Sequence, residues 1–489
     1  MRKLTPADVA ILKQLHEKAQ SGEKLTVQEM KLYRSLGRQY EQQKQPKQAD
    51  RNKYQRELMA ERRSASADIV DMFEAGLDDN GCPFPVDPKR RDACKKDLAK
   101  FLETYFPNTY TREWSESQLN EIKIAQDVIV KGSQYAFAAP RGDGKTSRVV
   151  GYTLYAVLFG FRRFVVIVGS DASAGQRILE HIKLELRNNV LLTEDFPEAC
   201  VPANFIDDVA QRARFVNIQG KKLEFKWGKD HIQLPHIEGS ASSGSLVYAK
   251  GLTGQLLGMN AKMMDGSVVR PDLFLLDDPQ TDESAKSPTQ CDYREELVLG
   301  AIKGAGPNAG TLAAFMPCTI KKENDLAHRF LDRKQHPDWH GTVSRLVVSW
   351  PEERDGLWKE YEAIWRDDHE KGETDHPTAT QFYKDNREAM DNGAVMGNDL
   401  RVQGHAISAV QTAFNLLLEN GSKMFASEYQ NEPLSKDTPL YSLSIEDVMG
   451  QVNKVPQHKL PDDCNWLVVG VDINPQTRGI NWTAVGATN

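Results

Sequence analysis

The fold is decided by Tyr135-Ala-Phe-Ala-Ala139-Pro140-Arg141-Gly142-Asp143-Gly144-Lys145-Thr146-Ser147 and the apolar, helically spaced residues that follow to about 160. A short strand over 135–139, a glycine-bearing turn and a helix from about 146 form the context a phosphate-binding loop requires. Gly142 and Gly144 free the backbone to turn its N–H groups inward, and those donors with the helix N-terminus hold a polyphosphate. Lys145 would reach the β- and γ-phosphates, and the Thr146 hydroxyl would meet Mg²⁺. Ala139 stands where the usual motif has its first glycine. The bland alternative is a chance Gly-Lys-Thr in a loop; the flanking strand and helix patterns weigh against it.

Such a loop calls for a second strand ending in carboxylates. Arg270-Pro-Asp-Leu-Phe-Leu-Leu-Asp277-Asp278-Pro supplies it. Its apolar run delivers both acids to the C-terminal edge of a sheet, where ligands bind in open α/β folds. Asp277 is expected to hold Mg²⁺ and Asp278 to activate the attacking water, although the second acid is more often Glu. Two acids simply capping a strand remain the alternative.

Outward from these motifs, Phe164–Gly169, Asp272–Leu276 and Thr311–Met316 read as further strands. Helical spacing occupies about 146–160, 172–188, 288–303 and 323–334. The alternation predicts an α/β fold with a mainly parallel sheet covered on both faces. Residues 214–235 alternate like a hairpin decorating that core. The expected domains are a basic helical arm (1–64), an ATPase core (65–349), a helical lid (350–432), a linker (433–465) and a terminal segment (466–489) reading as two strands.

The net charge of −7 is unevenly placed. Residues 1–63 hold 15 Lys and Arg against 8 Asp and Glu, so the rest of the chain is net −14. The arm suits either a polyanion or acidic partner, or a solvated helical extension. Six cysteines without a CxxC pair read as reduced thiols. The start MRKLTPADVA has no apolar h-region, and the longest apolar run, about 152–161, is half a membrane span. His336, His340, His369 and His376 lack metal-ligand company and read as surface residues.

Taken in order, these motifs resemble the large subunit of tailed-phage terminases, the motor that packages DNA. Arg141 lies three residues before Gly144, as in the terminase form of the loop. The strand ending in Asp277-Asp278-Pro looks like the second nucleotide motif of one terminase branch. Thr319-Ile-Lys-Lys-Glu-Asn-Asp-Leu-Ala matches the coupling motif, with Thr319 in the key place. Phe425-Ala-Ser-Glu-Tyr-Gln-Asn-Glu-Pro433 looks like the segment closing the ATPase region, and Asp472 sits where the nuclease's first metal-binding Asp is found. The resemblance covers about 110–489.

The resemblance implies a P-loop NTPase of the additional-strand type, a helical lid and the first strands of an RNase H-like nuclease. It implies ATP and Mg²⁺ as cofactors (Mg²⁺ or Mn²⁺ for the nuclease) and a catalytic set of Lys145, Asp278, Arg141 and Thr319. The expected partners are double-stranded viral DNA, the procapsid portal protein, a small terminase subunit and further copies in a pentameric ring, with no membrane. The setting would be the host bacterial cytoplasm.

Arg141 would then stabilise transition-state charge, or else pair structurally with Asp143 or another loop acid. Gln118 would read the adenine edge with Trp114 stacking, or else serve as the third residue of a helix capping box begun by Ser115. Asp472 supplies one carboxylate of a site that needs several, so the nuclease is expected to be cut off and inactive here. An ordinary acid ending a strand is the other reading of Asp472. Two other functions stay open: a P-loop helicase or remodelling ATPase, and a regulatory or scaffold protein that binds nucleotide without turnover.

Overall fold

The computed structural model describes residues 5–20, part of 26–36, most of 67–434, and two strands, 466–474 and 479–487. The chain divides into two compact units, Met1–Leu434 and Ser435–Asn489. The expected linker lies almost wholly outside the described residues.

The larger unit is built on an eight-stranded sheet. Its strands in chain order are β1 (Gln134–Ala138), β2 (Phe164–Gly169), β3 (Lys226–Trp227), β4 (His231–Gln233), β5 (Leu246–Gly251), β6 (Leu273–Leu276), β7 (Ala313–Cys318) and β8 (Trp339–Val343). Across the sheet they run β8-β1-β7-β6-β2-β5-β4-β3. The six from β8 to β5 are parallel, and β4 and β3 add an antiparallel edge. Thus β7 lies between β1, which leads into the glycine turn, and β6, which ends at the paired acids.

Both faces are buried because the central strands β2, β6 and β7 carry apolar residues at every position. Val165 and Ile167 of β2 enter one core with Phe137 and Phe315. Their neighbours Val166 and Val168 enter the other with Phe274 and Met316. Three helices cover the first face: α1 (Glu116–Lys131), α2 (Lys145–Leu158) and α3 (Ala172–Asn188). Helices α4 (Pro288–Ala305) and α5 (Leu326–Leu331) cover the second.

The region expected as a lid forms its own aromatic core around α6 (Leu357–Glu370), α7 (Pro377–Asp391) and α8 (Ala409–Glu428). Trp358 stacks on Phe414 at 3.6 Å and donates its indole N–H to the Met390 carbonyl. The smaller unit shows two antiparallel strands, Trp466–Asn474 and Gly479–Ala487, which place Asp472 opposite Asn481.

Several boundaries differ from expectation. The helix expected over 323–334 is only Leu326–Leu331, because Asp325 caps its start and Asp332 is already extended. The 214–235 hairpin is two short pairs: Val216–Ile218 with Lys221–Lys222, and β3 with β4, which joins the main sheet. His376 is not a surface residue: it is 7% exposed and stacks on Trp365 at 4.1 Å. His336 is half-buried, stacked on Phe330 at 4.4 Å and paired with Glu295 at 2.6 Å. The arm contains a helix, Pro6–Gln20, whose Leu15 is buried. The five described cysteines are free thiols. Among the described residues no helix is long and apolar enough to cross a membrane.

Candidate functional site

The sheet brings the sequence motifs to one edge. Ala139 continues β1, its N–H donating to the Cys318 carbonyl at the end of β7. Gly142 (φ +78°) and Gly144 (φ +86°) take left-handed conformations that carry the chain into α2, a backbone that side chains rarely adopt. Lys145 opens that helix and is buried. Its Nζ donates to the carbonyls of Ala139 (2.8 Å) and Pro140 (3.2 Å) and to Thr319 Oγ1 (2.8 Å), with Asp278 Oδ2 at 4.0 Å.

Thr146 Oγ1 donates to Asp277 Oδ2 at 2.8 Å, while Asp277 Oδ1 is buried with no hydrogen-bond partner. Burial and the neighbouring Asp278 push the Asp277 carboxyl up to about 7. Asp278 is partly exposed and has φ +38°, an uncommon conformation outside glycine, held by an N–H bond to the Pro317 carbonyl. Strain of this kind clusters where a side chain must be aimed.

Arg141 is largely exposed, and its partner is Glu428, at 3.8 Å, rather than Asp143. Its N–H also donates to the Glu428 carbonyl at 2.7 Å. Asp143 belongs to Arg148, whose Nη1 and Nη2 reach its carbonyl (2.6 Å) and Oδ2 (2.7 Å). Arg148 is clamped in turn by buried Glu121 through bonds of 3.0 and 2.5 Å. Gln118 forms the capping box that is one of its two readings, and it also reaches the glycine turn. Its Oε1 accepts from Ser115 N–H in a capping box, and its Nε2 reaches the Asp143 carbonyl and Oδ1, each at 3.3 Å.

Two cavities meet across the glycine turn. One, about 400 Å³, is open and lined by Arg141–Ser147, Asp278, Thr319, Lys321 and Glu428 among others. The other, about 260 Å³, is lined by Trp114, Gln118, Gly142–Gly144, Ser147 and Arg401 among others. Trp114 is tilted against Tyr110 at 4.8 Å, so its ring already has an aromatic neighbour.

The segment resembling the end of the ATPase region acts as a staple. Asn431 accepts from Ile320 N–H, next to Thr319, and donates to the Ser344 carbonyl beyond β8. Asp472 lies in the smaller unit. Among the described residues no group of three His, Cys, Asp or Glu side chains could hold a metal ion. Glu121, Arg148 and Arg401 belong to the site although no motif includes them, and Glu428 belongs to it from within the Phe425–Pro433 segment, which assigns it no role. No protein-family model matches this chain, and no curated protein matches its sequence.

Proposed function

We propose that the chain is an ATP-driven double-stranded DNA translocase, the motor part of a terminase large subunit. The observation that carries the reading is the convergence of Lys145, Thr146, Asp277, Asp278 and Thr319 at the ends of β1, β6 and β7. The insertion of β7 between the phosphate-loop strand and the acid-bearing strand supports a P-loop NTPase of the additional-strand type.

The residues fit a bound Mg²⁺: a hydroxyl and a carboxylate share one bond, and that carboxylate's second oxygen is buried and unpartnered. With phosphate oxygens and waters these make a magnesium ligand set, and the ion would supply charge neutralisation at the β- and γ-phosphates. Thr146 and Asp277 would hold it.

Lys145 rests on its own loop's carbonyls. Binding ATP would exchange these for phosphate oxygens, a stronger charge-assisted contact. Asp278, poised at the cavity mouth, orients the attacking water and takes its proton. Arg141, solvated and beside the loop, stabilises charge developing on the transferred phosphoryl group. Thr319 touches Lys145 and follows β7, so a change at the phosphates reaches the segment stapled by Asn431. DNA, the portal protein, a small subunit and ring assembly belong to the same proposal, as does an RNase H-like identity for the strand bearing Asp472.

The test is ATP hydrolysis by the purified chain with and without duplex DNA, wild type beside Lys145→Ala. Turnover stimulated by DNA and reduced about 10²-fold or more in the variant is expected. Wild-type protein with no turnover, or a variant with near-normal turnover, would refute the assignment.

A further inference from the structure

Arg401 is buried, at 6% exposure, on the connection between α7 and α8 of the lid. Its Nη2 donates to the Arg141 carbonyl at 2.8 Å, and the guanidinium carbon lies 5.5 Å from the centre of the Tyr429 ring. The group packs so closely on the glycine turn that a Cβ at Gly142 would come within 3.0 Å of Nη2. Its Nε and Nη1 are buried, and among the described residues neither finds an acceptor. These two nitrogens carry three N–H donors. A buried guanidinium with most of its fork unused is costly, since burying a charge is compensated only by pairing and hydrogen bonding.

Neighbouring groups do not meet that need. The Asp143 carboxylate is taken by Arg148 and Gln118. Burial holds the Arg401 guanidinium below its ordinary value despite the opposing pull of Asp143 and Tyr429. Arg112 bonds to the carbonyls of Leu400 and Val402, so the backbone on both sides is tied down. Arg401 lines the 260 Å³ cavity together with Gly142–Gly144, whose backbone leads into the N-terminus of α2. A ligand that brings anionic oxygens to that wall satisfies the guanidinium and the helix end together.

We infer that Arg401 contacts a bound nucleoside polyphosphate through its free Nε and Nη1 donors and so ties nucleotide occupancy to the lid. The inference rests on the proposed nucleotide site and adds a ligand contact from a second subdomain. The planar fork spans two phosphate oxygens while Nη2 keeps the Arg141 carbonyl. Occupancy would then hold the α7–α8 connection more firmly against the glycine turn, a route from nucleotide to lid separate from Thr319.

The experiment measures Mg·ADP affinity by calorimetry, and thermal unfolding without ligand, for wild type, Arg401→Met and Arg401→Lys. A charged hydrogen-bonded contact predicts a 10- to 100-fold rise in Kd for Arg401→Met. The ligand-free melting temperature should stay level or rise, because an unpaired buried cation has gone. Arg401→Lys, which keeps the charge but loses the fork, should still lose about tenfold. Wild-type affinity in either variant would overturn the inference, most clearly if the ligand-free melting temperature fell, the mark of a purely structural arginine. Wild-type protein that fails to bind Mg·ADP would sink the nucleotide site itself, and the inference with it.

Discussion

Replacing Asp277 with asparagine should stabilise the ligand-free protein at pH 8 while impairing the site. The Asp277 carboxyl is raised from 3.8 to about 7, by burial first and by Asp278 second. A folded-state value above the unfolded one means that the folded protein holds a proton the unfolded chain has released. Stability therefore falls as pH rises through the window from 3.8 to about 7, and the loss is complete above it. Between pH 6 and 8 the unfolded carboxyl stays ionised while the folded one titrates. The difference amounts to about one pKa unit, or about 1.4 kcal/mol. Water reaching the exposed part of the residue makes this an upper figure. In a chain of this size it corresponds to a melting shift of roughly 1–3 °C. The assay is thermal unfolding at pH 6 and pH 8 in EDTA, without nucleotide. Subtracting the Asp277→Asn profile from wild type removes the contribution of every titrating group that is not coupled to Asp277. The variant should melt higher at pH 8 and show a smaller pH difference, yet gain little from added Mg²⁺ and nucleotide. An unchanged pH difference in the variant would refute the reasoning, because some other group would then carry the titration.

Asp278→Asn should retain nucleotide but lose hydrolysis by about 10²-fold or more, with binding and turnover measured separately; equal loss of binding in the Asp277 and Asp278 variants would contradict the division of roles. Arg141→Lys should lower kcat more than it raises KM, since the planar fork acts on charge present in the transition state; an unchanged kcat would return Arg141 to its contact with Glu428. Arg148→Met leaves Glu121 buried without its cation and should cost about 3–5 kcal/mol in urea unfolding. A loss under about 1 kcal/mol would contradict the reading of Arg148 and Glu121 as a coupled buried pair.

The sheet was legible where one face-independent apolar run crosses the core. FVVIVG occupies β2 residue for residue, because a parallel strand buried on both faces needs no polar alternation. β5 and β8 escaped notice for the opposite reason. β5 ends in Lys250 and Gly251, and β8 is an edge strand with exposed His340 and Gly341. Such segments owe their conformation to the neighbour they pair with. β8 is placed by β1 and β5 by β2, which no local pattern encodes.

The site divides along a similar line. Lys145, Thr146, Asp277, Asp278 and Thr319 were readable because a fixed backbone path connects each to a strand end. Arg148 sits one turn into α2, yet its counter-ion Glu121 is 27 positions away on α1, and only the packing of the two helices makes the pair. Arg401 lies 260 positions from the carbonyl it holds. Gln118 shows how one amide can serve two elements at once. An amide has an acceptor and a donor end, and the capping box uses the oxygen while Asp143 receives the nitrogen. The cap that starts α1 thereby also fixes the glycine turn. A substitution made to test adenine recognition at Gln118 would loosen Asp143 and the helix start together, so a loss of nucleotide affinity in Gln118→Ala would not by itself identify a base contact. Gln118→Glu separates the two. It preserves the acceptor for Ser115 but sets a carboxylate against Asp143, so damage confined to the loop would mark Gln118 as a positioning residue.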